Sequence, residues 1–174
     1  MNQLQNVVLV NEQDVPIGKM EKLEAHIKGE LHRAFSVFIF NSDGELLLQK
    51  RSDEKYHSGG LWTNTCCGHP NPGEIVSGAA ANRLAEEMGL LSELKFGFKF
   101  LYKESVGNHL TEHEIDYVFF GISNCLPAIN ESEVSDYRYL SLEGLKEEMN
   151  DVPDTFTEWF KIIYEKAFDF FSVT

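Results

Sequence analysis

The sequence predicts an α/β (α+β) domain, a mixed sheet covered by helices on both faces. Three observations predict it. Short β-rich runs lie on both sides of one Ala-, Leu-, Glu- and Arg-rich segment, Ser77 to Met88. A second helical stripe closes the chain, where Phe156, Trp159, Phe160, Ile163, Ala167 and Phe170 recur at helical spacing between Thr155 and Phe171. The 174 residues, 43% of them hydrophobic, suffice for one core and contain no internal repeat, linker or low-complexity segment.

In order, Val7 to Val10 is a short apolar run ended by Asn11 and reads as a strand. Asp14-Val15-Pro16-Ile17-Gly18 reads as a turn. Phe35 to Phe40 is β-rich, Asn41-Ser42-Asp43-Gly44 is a turn, and Leu46 to Gln49 returns, which predicts a hairpin. Residues 52–73 are rich in Gly, Pro, Ser and Asn and form a long loop, with a short strand around Leu61 to Thr63; loops of that length in a compact domain are usually functional. The helix Ser77 to Met88 ends at Gly89, a good C′ residue. Phe96 to Tyr102, Ile115 to Ile122 and Tyr137 to Leu140 read as strands, Leu142 to Met149 as a short helix and Thr155 to Phe171 as a longer one.

The formal net charge of −13 argues against general nucleic-acid binding, because such a surface repels phosphate backbones. It also makes any local cluster of Lys and Arg more telling. Three cysteines, at 66, 67 and 125, are odd in number and two are adjacent, which suits free thiols in a reducing compartment. Met1 to Asn6 lacks the charged and apolar regions of a signal peptide, and no apolar run approaches a membrane span. A cytoplasmic location is expected.

Chemistry concentrates in Thr63-Asn64-Thr65-Cys66-Cys67-Gly68-His69-Pro70, which puts a thiol two residues before an imidazole. From Gly68 the chain reads five residues, Glu74, seven residues, then Asn82-Arg83-Leu84-Ala85-Glu86-Glu87-Met88-Gly89-Leu90. That spacing resembles the signature of the Nudix family, whose members bind a metal–diphosphate group on a loop–helix–loop. Arg83 and Glu87 are four apart and share a helix face; alone they would read as a surface ion pair. The Nudix pattern has Arg-Glu where this chain has Asn82-Arg83, so one acid expected of a hydrolase is replaced by a base. That weakens the case for cleaving a diphosphate and strengthens the case for holding one.

Further pieces carry a narrower resemblance: Glu21-Lys22, His26, Leu31-His32-Arg33-Ala34-Phe35-Ser36, Gln49-Lys50-Arg51, Trp62-Thr63-Asn64 through Pro70, the altered Nudix box, Glu112-His113-Glu114 and Trp159. In this order they resemble the type I isopentenyl-diphosphate isomerases over almost the whole chain. The resemblance implies a Nudix α/β/α sandwich of mixed sheet, one domain over residues 1–174. An N-terminal extension, about residues 1–34, would contribute to the metal site and cover the active site. The implied reaction moves a double bond between isopentenyl and dimethylallyl diphosphate through a tertiary carbocation. Cys67 and Glu114 would be the proton-handling pair, Tyr102 would hydrogen-bond the acids, and Trp159 would stabilise the cation with its indole face. His26, His32, His69, Glu112 and Glu114 would hold one manganese or zinc ion. Glu87 would hold a magnesium ion arriving with the substrate, and Lys22, Arg51, Lys55 and Arg83 would hold the diphosphate. Glu112 and Glu114, two apart on a strand, point the same way, and His113 points away.

Two rival functions are a Nudix hydrolase of a nucleoside diphosphate derivative and a non-catalytic binding module of the same fold. His57 and His109 are expected at the surface, Cys66 as a packing residue, Cys125 in core or loop, and Lys50 exposed on the other side of its strand. The acid-rich stretch Glu131 to Asp136 is expected as a solvated face, and Glu86 is a lesser alternative to Glu87.

Overall fold

The computed structural model describes residues 5–173; Met1 to Leu4, which share the expectation about a signal peptide, and Thr174 lie outside the described residues. The elements are β1 (Asn6–Val10), β2 (Pro16–Glu21), α1 (Lys22–Lys28), β3 (His32–Phe40), β4 (Leu46–Arg51), β5 (Trp62–Thr63) and β6 (Cys66–Gly68). They continue with α2 (Val76–Met88), β7 (Lys95–Ser105), β8 (Thr111–Ile122), β9 (Val134–Leu140), α3 (Leu142–Asp151), a 3-10 turn at Pro153–Thr155 and α4 (Glu158–Ser172). No described helix is long and apolar enough to cross a membrane.

The strands form one mixed sheet organised on β3. One edge of β3 runs parallel to β8, from His32 opposite Glu114 to Phe40 opposite Ile122. Its other edge is shared in succession by β1 at His32, by β6 at Phe35 to Val37 and by β4 at Phe40. The register divides the side chains cleanly. Odd positions of β3 (Phe35, Val37, Ile39) pack with Leu84 and Met88 of α2. Even positions (Phe38, Phe40) pack with Val118 and Phe120 of β8 and with Trp159, Phe160 and Ile163 of α4. Helices therefore cover both faces, as the sequence predicts.

Several expectations need correction. The expected hairpin is reduced to one pair, Phe40 with Leu46. β4 pairs along its length with β9 instead, because the buried Thr63-Asn64-Thr65 segment wedges the two strands apart. Thr65 Oγ1 accepts from Ile39 N at 2.9 Å and donates to Leu47 O at 2.6 Å. Asn64 Nδ2 donates to Val37 O at 3.1 Å. Side chains thus supply hydrogen bonds that a hairpin ladder would have made. The turn read at Asp14 to Gly18 lies earlier. Asn11 Oδ1 accepts from Gln13 N and Val15 N at 3.0 Å, and Pro16 already begins β2. α1 was not expected; it starts where Glu21 accepts from Glu24 N at 2.9 Å and stops at Gly29 in the left-handed region. α2 stops likewise at Gly89, where any Cβ would meet Ala128 O at 2.5 Å. α4 begins at Glu158 rather than Thr155, because Thr157 N bonds Trp62 O at 3.0 Å and holds the preceding chain against β5.

Candidate active site

The site grows from the start of the β3–β8 ladder. On β8, alternation puts Glu112, Glu114 and Asp116 on the face that carries Val118 and Phe120 further along. On β3 the same face carries His32 and Ser36. Antiparallel pairing sets Cys67 opposite Ser36 and Tyr102 of β7 opposite Glu114. Cys66, one residue away, faces the α2 core and is fully buried there, as its expected packing role requires.

Three imidazoles converge on one carboxyl. His26 from α1 places Nε2 at 3.9 Å from Glu114 Oε1, His32 at 3.2 Å and His69 at 2.9 Å. The other ring nitrogens of two of them are committed. His26 Nδ1 lies 2.6 Å from Lys22 O and His32 Nδ1 lies 2.8 Å from Glu30 O. A carbonyl only accepts, so Nδ1 carries the hydrogen and Nε2 is left as a lone pair. Both Nε2 atoms are buried and have no hydrogen-bond partner among the described residues. Burial keeps His26 neutral and pushes His69 down to about 3, which leaves both able to ligate. The ligand atoms of His26, His32, His69 and Glu114 lie within 4.8 Å of one another. Three imidazole nitrogens and a carboxylate suit a divalent transition ion.

Glu112 sits apart from that set, grouped with His26 and His57. The Tyr102 hydroxyl lies 2.9 Å from Glu112 Oε2 and 2.6 Å from Glu114 Oε2. Burial, with the charge of Glu114 beside it, raises Glu112 well above the carboxylate range. Burial also raises Glu114, but His69, whose Nε2 lies 2.9 Å from its Oε1, more than offsets this and holds it below the usual carboxylate range. The two acids therefore differ in charge, and a protonated Glu112 and the Tyr102 hydroxyl can pass hydrogen bonds along to the Glu114 carboxylate.

Cys67 donates to Asn64 Oδ1 at 3.1 Å and lies 3.8 Å from Ser36 Oγ. Ser36 donates in turn to Asp116 Oδ2 at 2.6 Å. Burial, then the nearby Asp116, pushes the Cys67 thiol up to about 12, so it holds its proton at neutral pH.

Cys67, Glu114, Tyr102 and Trp159 all line one cavity of about 880 Å³, together with Lys22, Arg51, Lys55 and Arg83. Arg51 lies over the Trp159 ring, 5.3 Å from its centroid. Lys22 is pulled down to about 8 by burial and then by Lys55, Arg51 and Arg83. Arg83 pairs with Glu87 at 2.6 Å and with Glu133 at 2.7 Å, and Lys55 also pairs with Glu133. Glu87 additionally accepts from Gln49 at 2.8 Å.

Three expectations fail here. His57 is not at the surface: it is 5% exposed, with its Nε2 3.6 Å from Glu112 Oε1, because its loop folds back over the site. Glu133 is not part of a solvated face, since its carboxyl turns inward to the two cations. Lys50 is half-buried rather than exposed, whereas His109 is exposed and Cys125 lies in an exposed loop, as expected. His113 is turned from the cluster to Gly29 O at 3.0 Å. Asp116 was missed, although the alternation of Glu112 and Glu114 already carries it onto their face.

A NUDIX domain model matches residues 30–160. The isopentenyl-diphosphate Delta-isomerase of Pectobacterium atrosepticum is 52% identical over 167 residues, covering 96% of this chain and 93% of that protein. Isopentenyl-diphosphate Delta-isomerase 2 of Photorhabdus laumondii is 51% identical over 157 residues, covering 90% and 89%. Among solved structures, a Deinococcus radiodurans protein superposes with a TM-score of 0.76 at 18% identity, over 93% of this chain and 98% of its own. A MutT protein from Methanosarcina mazei gives 0.65 at 23% identity, over 80% and 93%. These two speak to the fold alone.

Proposed function

We infer the function from one premise: the chain belongs to the Nudix family, and within it to the isopentenyl-diphosphate Delta-isomerases. It is an enzyme that interconverts isopentenyl and dimethylallyl diphosphate. The observation that carries this reading to residues is the single cavity lined at once by a thiol, a buried carboxylate, an indole and four cationic side chains.

Lys22, Arg51, Lys55 and Arg83 hold the diphosphate, with Glu87 toward the magnesium that arrives with it. Glu133, which neutralises Lys55 and Arg83 in the free protein, yields these cations to the substrate. Isomerisation adds a proton to the terminal alkene carbon and leaves a positive charge on the branched carbon. A proton then leaves the neighbouring carbon on the diphosphate side, and the double bond forms there. Cys67 and Glu114 are the two proton carriers, one charged with a proton at Sγ and the other free to accept at a carboxylate oxygen. The Tyr102 hydroxyl orients Glu114 and links it to Glu112. Trp159, 3% exposed, offers a π face that attracts the carbocation without attacking it. A manganese or zinc ion on His26, His32, His69, Glu114 and Glu112 would supply fixed positive charge beside the acids. Residues 1–34 belong to this domain in the same reading, since Lys22, His26 and His32 reach the site from there. The free cysteines suit a reducing cytoplasm.

A hydrolase reading is weaker. Arg83 stands where the Nudix pattern has an acid, and it ties up Glu87 together with Gln49. The test is incubation with isopentenyl diphosphate and magnesium in heavy water. Dimethylallyl diphosphate carrying deuterium is the expected product. Phosphate release from nucleoside diphosphate derivatives, with no double-bond movement, would favour the hydrolase.

A further inference from the structure

The last helix begins with a threonine that leaves its own helix uncapped. Thr157 is the N-cap of α4, where a hydroxyl oxygen ordinarily accepts from an N–H of the first turn. Here the side chain makes no such bond. Its Oγ1 instead donates to Thr63 Oγ1 of β5 at 3.0 Å, and its backbone N–H goes to Trp62 O at 3.0 Å. A local rule broken inside a buried polar cluster points to a role beyond the helix.

That hydroxyl starts a chain of hydrogen bonds with a single direction. Asn64 Nδ2 spends both hydrogens, on Val37 O at 3.1 Å and on Cys66 O at 2.9 Å. Its Oδ1 is therefore the atom turned to Thr63 Oγ1 at 2.9 Å and to Cys67 Sγ at 3.1 Å. An amide oxygen only accepts, so Thr63 and Cys67 both donate to it. Thr63 has no second hydrogen and must accept from Thr157. The chain runs from Thr157 through Thr63 to Asn64, and the Cys67 S–H closes on the same oxygen. Thr63, Asn64 and Thr157 are all buried.

Trp159 lies two residues beyond Thr157, in the first turn of α4, and its Nε1 is buried with no hydrogen-bond partner among the described residues. No polar bond fixes the indole, so its place in the cavity depends on packing and on how the start of α4 is held. We propose that Thr157 is a positioning residue for the isomerisation, which through Thr63 and Asn64 fixes the Cys67 thiol relative to the Trp159 ring. The inference rests on the reading above, in which Cys67 carries a proton and Trp159 faces the carbocation. The cation exists only between the two proton transfers, so thiol and indole must be in place at the same moment. None of the four diphosphate-holding cations belongs to the chain, so it acts on the chemistry and not on binding.

Steady-state kinetics of the full chain with isopentenyl diphosphate and magnesium test this. Thr157→Val keeps the shape and removes the donor, and no cap bond is lost because none is made. Its kcat should fall roughly 10–100-fold with KM unchanged, the loss that a small misplacement of reacting groups produces. Thr157→Ser should restore kcat. Thr155→Val, which removes an exposed hydroxyl bonded to Val152 O, should keep wild-type kcat. Thr63→Val breaks the same chain at its middle, and the double variant should be no slower than the slower single variant, as for residues that act as one unit. Wild-type kcat in the folded fraction of Thr157→Val or of Thr63→Val overturns the proposal. So does a change in KM alone, a Thr157→Ser enzyme as slow as Thr157→Val, or losses that multiply in the double variant. Each of these leaves the isomerase reading standing as long as the wild type forms dimethylallyl diphosphate. A wild type that moves no double bond overturns both.

Discussion

The two halves of one face of β8 have opposite fates. Glu112, Glu114 and Asp116 stand at its start, and Val118 and Phe120 continue the same row. All five are nearly inaccessible. At the apolar end, burial is favourable in itself, and Phe120 stacks with Phe170 at 4.9 Å under α4. At the polar end, burial of carboxyls is costly and is tolerated only through partners: three imidazoles and Tyr102 around Glu114, and Ser36 on Asp116. A strand uniformly suited to its core would have carried apolar residues throughout. The departure marks where stability gives way to chemistry.

The comparison breaks most sharply by exchanging the two kinds of damage. Glu114→Gln or Cys67→Ala should cut turnover by roughly 10³-fold or more, as loss of a proton carrier does, while circular dichroism stays native. A fully active Cys67→Ala enzyme would remove the thiol from the mechanism. Phe120→Ala should do the reverse. It should cost about 3–5 kcal/mol in denaturant unfolding and leave kcat of the folded fraction near wild type. Collapse of kcat with unchanged stability would show that the two halves are not separable.

A smaller effect comes from Lys22. Its ammonium has a pKa of about 8 in the free protein, because burial and three neighbouring cations disfavour the charge. As pH rises through about 8, the site loses one positive charge, so kcat/KM should fall several-fold in alkaline solution. Lys22→Arg should flatten that limb, and a limb that persists in Lys22→Arg assigns it to another group. The sign for stability is opposite. Between about 8 and 10.5 the unfolded chain binds more protons, so this lysine makes folding more favourable as pH rises through that window.

The smallest effect is at Asp116. Burial, then the Glu114 charge, raises its pKa well above 3.8, so the folded protein keeps a proton that the unfolded chain releases above that value. Stability supplied by this group is full at low pH and is lost as pH climbs from 3.8 toward the raised value. Asp116→Asn keeps the shape and cannot ionise. It should be as stable as wild type, or about 1 kcal/mol more stable, at pH 7, and the difference should shrink in acid. A loss of several kcal/mol at pH 7 would mean that Asp116 is charged and specifically paired.

Legibility followed the range of the interactions involved. The α4 stripe, the end of α2 at Gly89 and the alternation of β8 depend on neighbours a few residues away, and each could be read directly. The β3–β4 hairpin was misread because its turn is local but its pairing is not: Thr65 arrives from a distant loop and takes the hydrogen bonds. α1 was missed because its caps, Glu21 and Gly29, enclose only two buried residues, Ala25 and His26, and so leave no stripe to see. His57 and Glu133 looked like surface residues because nothing nearby in sequence shows a loop folding inward.

Alone, the order of residues determined the inventory: one thiol near an imidazole, acids at every second position of a strand, an aromatic stripe on the last helix and a few bases in an acidic chain. Spacing along a strand or a helix dictates which side chains share a face, and that needs no knowledge of the rest of the molecule. Only the folded sheet decided which members of that inventory meet. The pairing of Ser36 with Cys67 turns that thiol toward Glu114's side and sends Cys66 into the opposite core, and the fold-back of the 52–61 loop delivers His57 to Glu112. Register and loop path are settled by packing between segments far apart in the chain, and no local pattern encodes that balance.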